Sequence, residues 1–234
     1  MENRKHNMKI SVVMPVYNEF KTIREIIARV RAVEMDKEII CIDDASTDGS
    51  TRILQEESAA GNIRALFHDK NMGKGAAVRT GLQAITGDIV IIQDADLEYD
   101  PEDYYALVRP ILRGKAQVVY GSRFLGEHKA MYFWHAVGNH LLTLVTNVLY
   151  DSTLTDMETC YKVFPAEIAR KIKLKADRWG FDPEITAKIM RMGHRVYEVP
   201  VSYTGREFSE GKKISWREAL PILYTLVKYR FVKD

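Results

Sequence analysis

Apolar residues in the first half of the chain follow two patterns that alternate. Short β-branched runs predict buried strands, and segments with apolar residues every three or four positions predict helices between them. The predicted strands are residues 9–16, 38–43, 63–68, 88–94 and 116–122. Strands that alternate with helices indicate an α/β fold, a Rossmann-like, mostly parallel sheet flanked by helices.

The second half of the chain is less regular. An apolar helix is predicted over residues 131–150, a second around 183–192, a strand over 194–203 and a last helix at the C-terminus. Because 234 residues fit one domain and no repeat or linker separates them, we predict a single domain.

Polar residues stand where the predicted strands end. In parallel sheets ligands bind outside the carboxyl ends of the strands, so these side chains are expected to share one edge. They are Pro15, Tyr17 and Glu19 after the first strand, Asp43 and Asp44 after the second, Asp94, Asp96 and Glu98 after the fourth, and Arg123 after the fifth.

The segment "IVIIQDADLEYDP" ends the fourth strand with clustered carboxylates. Asp94 and Asp96 are two residues apart and can face the same way, towards one cation. Oxygen ligands without nearby His or Cys favour Mg²⁺ or Mn²⁺ over Zn²⁺, typically together with a phosphate-bearing ligand. The alternative is an exposed acidic turn.

Three further features each allow two interpretations. Asp43 and Asp44 can accept hydrogen bonds from a nucleoside or cap the next helix. Tyr17 can stack on a base or belong to the core. Lys74, in "NMGKGAAVRTG", lies between two glycines at a helix start and can serve an anion, although the segment matches neither the P-loop nor the dinucleotide fingerprint.

Composition excludes some classes of protein. The net charge is +2, without the basic excess typical of nucleic-acid binders. The two cysteines, Cys41 and Cys160, lie far apart, which argues against a disulfide framework or zinc site and for a reducing compartment. The N-terminal "MENRKHNMKI" is not a secretory signal. A cytoplasmic protein is expected.

Residues 130–150 approach membrane-span length without a formal charge. Polar residues recur every three or four positions and apolar residues form the other side, which favours an amphipathic helix lying in a membrane interface. A core helix packed on the sheet is the alternative. The C-terminal "ISWREALPILYTLVKYRFVKD" mixes aromatic and basic residues, which suits an anionic membrane surface. Homodimer packing competes there.

The ordered motifs carry a resemblance to a known family. "VVMPVYNE", "IDDASTDGS", "NMGKGAAVRTG", "QDADLE" and "GSRF" resemble family 2 glycosyltransferases with the GT-A fold. "TDMETCYKVF", "GFDPEI" and "EVPVSYTGRE" are similar to the dolichyl- or polyprenyl-phosphate mannose synthase branch. The resemblance spans about residues 9–216 and implies a donor half at about 9–123 and an acceptor half, a C-terminal extension, at about 124–234.

The resemblance implies an inverting, metal-dependent transfer of a hexose from GDP-mannose or UDP-glucose to a polyprenyl or dolichyl phosphate. It implies a peripheral location on the inner face of a membrane. Asp94 and Asp96 match the DxD motif that holds Mg²⁺ or Mn²⁺, and Glu98 stands where the branch usually has a metal-binding Gln. The implied donor-binding residues are Pro15, Tyr17, Glu19, Asp43, Asp44, Lys74, Asp94, Ala95, Asp96, Arg206, Lys212 and Lys213.

The implied catalytic residues are Asp94, Asp96, Arg123, Asp156 and Arg206. A hydroxyl acceptor needs a carboxylate to take its proton, with Asp156 the first candidate and Glu158 the second. A phosphate monoester is already ionised and can attack unaided, and then Asp156 positions groups or binds Lys or Arg.

Three other functions compete with this one. The first is transfer to a saccharide or other hydroxyl. The second is a non-catalytic nucleotide-sugar-binding protein, and the third, an NAD-binding dehydrogenase, is disfavoured by the broken glycine fingerprint.

Overall fold

A seven-stranded sheet forms the centre of the structure, a computed structural model that describes residues 8–178, 180–206 and 219–232. The strands are β1 (Ile10–Val16), β2 (Lys37–Asp43), β3 (Arg64–Phe67), β4 (Ile89–Ile92), β5 (Val118–Ser122), β6 (Lys162–Pro165) and β7 (Val196–Pro200). Their order across the sheet is β3-β2-β1-β4-β6-β5-β7.

Most neighbouring strands in this sheet are parallel. The exception is β6, which pairs antiparallel with both β4 and β5. It is four residues long and begins within "TDMETCYKVF", where no strand was predicted. Every residue of β4 is buried, as expected for a central strand covered by helices on both faces. The prediction of a mostly parallel sheet flanked by helices is confirmed.

Helices join the strands and cover both faces of the sheet. They are α1 (Ile23–Ala32), α2 (Ser50–Ala59), α3 (Lys74–Ala84), α4 (Tyr104–Leu112), α5 (Phe133–Tyr150), α6 (Ala166–Lys171), α7 (Phe181–Arg191) and α8 (Ala219–Phe231). The helical spacing of Ile23, Ile26, Ile27 and Val30 correctly marks the buried face of α1.

Helix α5 is amphipathic, but its polar side faces the protein and its apolar side faces outward. Its buried residues include Asn139, Thr143 and Thr146, so much of its polar side faces the protein. Its apolar side faces outward, with Trp134 79% and Val148 76% exposed. The helix packs against α7 and α8, so the alternative of a core helix lying on the sheet is wrong. Within the described ranges, no helix combines the length and hydropathy that crossing a membrane requires.

Candidate active site

The carboxyl ends of β1, β4 and β7 bring four charged side chains together. Glu19 follows β1, Asp96 and Glu98 follow β4, and Arg206 follows β7. Arg206 contacts all three carboxylates: Nη1 lies 3.2 Å from Glu19 Oε2, Nη2 2.8 Å from Asp96 Oδ2, and Nε 3.1 Å from Glu98 Oε1. We call Glu19, Asp96 and Glu98 the carboxylate cage. The sequence placed all four residues at one site, and the structure places them in contact.

Neighbouring residues hold the cage in shape. The Thr22 hydroxyl donates to the Ala95 carbonyl oxygen at 2.9 Å and lies 3.2 Å from Glu19 Oε2, which ties the loop after β1 to the loop after β4. The Tyr203 hydroxyl donates to Glu98 Oε2 at 2.7 Å. Sequence reasoning did not single out Thr22 or Tyr203. Tyr203 stands inside the quoted "EVPVSYTGRE", but nothing local showed that it reaches Glu98.

Asp94 points to a different cation. Lys74 Nζ, at the start of α3, lies 2.7 Å from Asp94 Oδ1. Burial acts to raise the pKa of Asp94, but the charge and hydrogen bond of Lys74 outweigh it and lower that pKa. Burial likewise acts to lower the pKa of Lys74, and the Asp94 charge raises it well above its ordinary value. Each aspartate of the DxD motif is thus paired with a basic side chain.

Negative charges lie close to Asp96. Burial, followed by the charges of Asp94 and Glu98, raises the pKa of Asp96 to about 8. Within the described ranges, no three His, Cys, Asp or Glu side chains are already arranged to hold a metal ion. The donor atoms are nevertheless the hard oxygens that Mg²⁺ and Mn²⁺ prefer, and a guanidinium already stands among them as a cation. The residues therefore fit a divalent ion once Arg206 moves aside.

The predicted nucleoside side of the site is lined by carboxylates with internal partners. Asp43 accepts from the Ser46 N–H at 3.0 Å and from the Thr51 hydroxyl at 2.5 Å. Asp44 accepts from the backbone N–H groups of Met72 at 2.8 Å and Gly73 at 2.6 Å. Both aspartates are buried. They shape the loop after β2 and the loop before α3. A nucleoside would donate hydrogen bonds only to the lone pairs that these contacts leave available.

Three further predicted donor residues lie along the same edge. Pro15 is half-buried near the end of β1, and Tyr17 beyond it is 39% exposed. Ala95 is buried between the two aspartates of the DxD motif. Lys212 and Lys213 lie outside the residues that the structure describes.

Arg123, after β5, and Asp156, in the loop before β6, form a buried pair. Arg123 Nε lies 2.7 Å from Asp156 Oδ2, and Nη2 lies 2.7 Å from Oδ1 and 3.3 Å from Asn139 Oδ1. The Arg123 backbone N–H also donates to Asp156 Oδ2 at 3.0 Å. Burial acts to lower the pKa of Arg123, but the Asp156 charge raises it well above its ordinary value. Of the two uses foreseen for Asp156, the structure shows the pairing with arginine.

Glu158 has a carboxyl oxygen that is not satisfied by a hydrogen bond among the described residues. Its Oε1 is buried and has no hydrogen-bond partner within the described part of the chain. Burial, followed by the charge of Asp182, raises the pKa of Glu158 to about 8. The residue lies in the loop before β6, two residues after Asp156. It was the second candidate for a base, and unlike Asp156 it has an oxygen atom without a hydrogen-bond partner among the described residues.

Comparison with known proteins finds a family model that matches most of the chain. The family model of glycosyl transferase family 2 matches residues 11–173. The uncharacterized protein MJ1222 of Methanocaldococcus jannaschii is 29% identical over 226 residues, which cover 94% of this chain and 91% of that protein.

Solved structures of glucosyl-3-phosphoglycerate synthase from Mycobacterium tuberculosis share the fold. The complex with Mn²⁺, UDP and glucosyl-3-phosphoglycerate has a TM-score of 0.75 and 22% identity, covering 100% of this chain and 84% of that one. The complex with Mn²⁺, UDP-glucose and phosphoglyceric acid has a TM-score of 0.74 and 21% identity, covering 100% and 83%. A third contains Mg²⁺ and UDP, with a TM-score of 0.72, 21% identity, and coverage of 100% and 85%. The likeness confirms the predicted GT-A architecture.

Proposed function

Because the chain belongs to glycosyl transferase family 2, we propose that it transfers a hexose from GDP-mannose or UDP-glucose to a polyprenyl or dolichyl phosphate. The observation that carries this choice of acceptor is the pairing of Asp156 with Arg123. Asp156 is fully buried, and both of its oxygens accept hydrogen bonds from Arg123. A carboxylate held in this way is a poor proton acceptor, which favours an acceptor that is already ionised, as a phosphate monoester largely is near neutral pH.

The donor half of the proposal rests on the residues after β4. Asp94 and Asp96, with Glu98 beside them, would hold Mg²⁺ or Mn²⁺, which supplies positive charge to the departing diphosphate when bound. Lys74 lies next to Asp94 and Arg206 next to Asp96, so both cations are in place to meet the donor phosphates. Glu19, Tyr17 and Pro15 would meet the nucleoside at the end of β1, beside Asp43 and Asp44.

A polyprenyl acceptor requires contact with a membrane, and helices α5 and α8 offer a surface for it. Leu144 on α5 is 57% exposed, and Tyr224 and Phe231 on α8 are 67% and 75% exposed. Lys228 and Arg230 lie in the last turn of α8, and neither helix contains an acidic residue. Apolar and aromatic side chains on helices that carry basic and no acidic residues suit an anionic lipid surface. The corresponding location is cytoplasmic and peripheral, on the inner face of a membrane.

Glu158 supports a second candidate, transfer to a hydroxyl group. A carboxyl group with a pKa of about 8 is poised to exchange a proton near neutral pH. The Mycobacterium tuberculosis synthase complex with UDP-glucose and phosphoglyceric acid makes those two compounds natural probes for this alternative.

The test is a product assay with purified protein and radiolabelled GDP-mannose or UDP-glucose, with Mn²⁺ or with EDTA. The acceptors are undecaprenyl phosphate, phosphoglyceric acid and free saccharides, and Asp96→Asn is the inactive control. We expect a labelled, organic-extractable product with undecaprenyl phosphate and Mn²⁺. Label that moves only to phosphoglycerate or a saccharide would replace the proposal by the hydroxyl alternative. Binding of sugar nucleotides without any transfer would leave a non-catalytic binding protein.

Liposome flotation tests the membrane contact separately. The wild type should float with vesicles that contain anionic lipid, and Leu144→Glu combined with Trp134→Glu should not. Phe67→Glu is the control, because Phe67 is an exposed apolar residue on β3, outside the two helices. Equal behaviour of wild type and double variant, with a concentration-dependent dimer that the double variant loses, would assign the face to a homodimer.

A further inference from the structure

The cation that the carboxylate cage binds in this structure is a side chain of the protein, the guanidinium of Arg206. Arg206 makes its three ion pairs with residues from two separate strand ends, at distances between 2.8 and 3.2 Å. Its backbone N–H also donates to Glu98 Oε1 at 3.1 Å. Burial acts to lower the pKa of Arg206, but the charges of Asp96 and Glu19 raise it, so the guanidinium stays charged.

The cage also has contacts that do not involve Arg206. Glu98 is held from its other oxygen by Tyr203, and Glu19 and Ala95 are joined through the Thr22 hydroxyl. Among the described residues, the Arg206 guanidinium contacts all three carboxylates. Such a site favours a second positive charge or the replacement of the guanidinium by a divalent ion.

Arg206 and a divalent ion exclude each other at Asp96. The guanidinium takes Oδ2 of Asp96 at 2.8 Å, so a metal ion bound to the same carboxylate would stand within a few ångströms of it. At that separation two cations repel strongly in a partly buried site. A diphosphate can draw Arg206 out of the cage, because it is an anion that accepts bidentate hydrogen bonds from arginine.

We propose that Arg206 is a resident cation that keeps the divalent metal out of the cage until a nucleoside diphosphate arrives. The diphosphate takes the guanidinium, the carboxylates are freed, and metal and nucleotide bind as a pair. This inference rests on the proposed function, because it concerns the same donor site. It makes Arg206 a positioning residue for the metal in addition to its predicted contact with phosphate.

The test measures Mn²⁺ binding directly, by electron paramagnetic resonance of the free ion, with and without UDP or GDP. Without nucleotide, Arg206→Ala should bind Mn²⁺ at least about tenfold more tightly than the wild type, because a nearby positive charge is gone. Arg206→Gln repeats the measurement should the alanine variant not fold. Arg206→Lys, which keeps the charge, should stay close to the wild type.

Two controls show where the ion binds. Arg195→Ala also removes one positive charge, but Arg195 is 82% exposed and precedes β7, whereas the cage lies at the carboxyl ends of the strands. It should leave Mn²⁺ affinity unchanged. Adding Asp96→Asn to Arg206→Ala should abolish the gain.

The outcomes separate this inference from the proposed function. Equal nucleotide-free Mn²⁺ affinity in wild type and Arg206→Ala overturns the resident-cation role. Should UDP and GDP fail to promote Mn²⁺ binding in the wild type while Arg206→Ala still binds the ion tightly, the cage is confirmed and the nucleotide-sugar donor is wrong.

Discussion

Arg123 and Asp156 bind each other through two parallel contacts of 2.7 Å, in a place where both side chains are almost completely buried. The two residues lie 33 positions apart, at the end of β5 and in the loop before β6. The Tyr203 ring lies 5.3 Å from the Arg123 guanidinium carbon, so the pair also supports the tyrosine that holds Glu98. The Arg123–Asp156 pair and the carboxylate cage are therefore connected through Tyr203.

Removal of the negative charge from this pair should destabilise the fold. Asp156→Asn leaves the Arg123 charge buried without its counterion, which typically costs about 3–5 kcal/mol. Urea denaturation followed by circular dichroism measures the loss. Asp151→Asn is the control, because Asp151 forms an exposed pair with Arg195 at 3.7 Å and its loss should not be measurable. Full stability of Asp156→Asn together with lost turnover would instead identify Asp156 as the base.

Lys74 should contribute to nucleotide affinity through its charge. Among the described residues, Lys74 is the only one that forms an ion pair with Asp94, and it is the first residue of α3. Lys74→Met removes both this ion pair and the positive charge at the start of the helix. We expect UDP or GDP to bind about tenfold or more weakly in the presence of Mn²⁺, since hydrogen bonds to charged groups contribute about 1.5–3 kcal/mol. Isothermal titration measures the affinity, and Lys74→Arg is the matched variant that keeps the charge. If Lys74→Met binds the nucleotide as tightly as the wild type, Lys74 only neutralises the charge of Asp94 and does not contribute to nucleotide binding.

Glu158 should make stability depend on pH. Its pKa is about 8 in the folded protein against an ordinary value of 4.5, so the folded state binds the proton more tightly than the unfolded state. The stabilisation is complete below about pH 4.5 and is lost as the pH rises through 8. Glu158→Gln removes this dependence.

The difference in unfolding free energy between Glu158→Gln and the wild type should therefore grow in favour of the variant between pH 4.5 and 8. Thermal denaturation at a series of pH values measures it. A difference that stays constant over this range would contradict a buried, protonated Glu158. Loss of activity in Glu158→Gln with a hydroxyl acceptor, at full stability, would support its role as a base.

Gly73 should resist substitution because two loops meet there. Its φ of +97° disfavours other residues, and a Cβ would overlap the Asp177 carbonyl oxygen and lie 2.7 Å from Arg178 Cγ. Gly73→Ala should lower stability by about 1–3 kcal/mol and weaken nucleotide binding, because the Gly73 N–H also donates to Asp44. Gly61→Ala is the matched control: its φ is +73°, but a Cβ there meets no atom within 4 Å. Equal losses in both variants would show that the contact with Asp177 is unimportant.

The local sequence pattern was enough to predict several features of this protein. Apolar runs such as "IVII" in β4 predict buried strands because side-chain periodicity depends on neighbouring residues alone. Asp94 and Asp96 follow such a strand, so their place at the ligand-binding edge follows from the general behaviour of parallel sheets. The ordered motifs were also enough to identify the family, since their residues and order are properties of the sequence.

Other features depend on how distant segments meet. Arg206 and Glu19 lie 187 residues apart, and only the path of the chain brings them within 3.2 Å. The same holds for the Arg123–Asp156 pair and for the antiparallel position of β6. On α5 the sequence showed two faces, but which of them faces the protein was decided by the packing of Asn139, Thr143 and Thr146. Periodicity is local and can be read directly, whereas the partner of a buried charge and the direction of a helix face are set by the global packing that satisfies them.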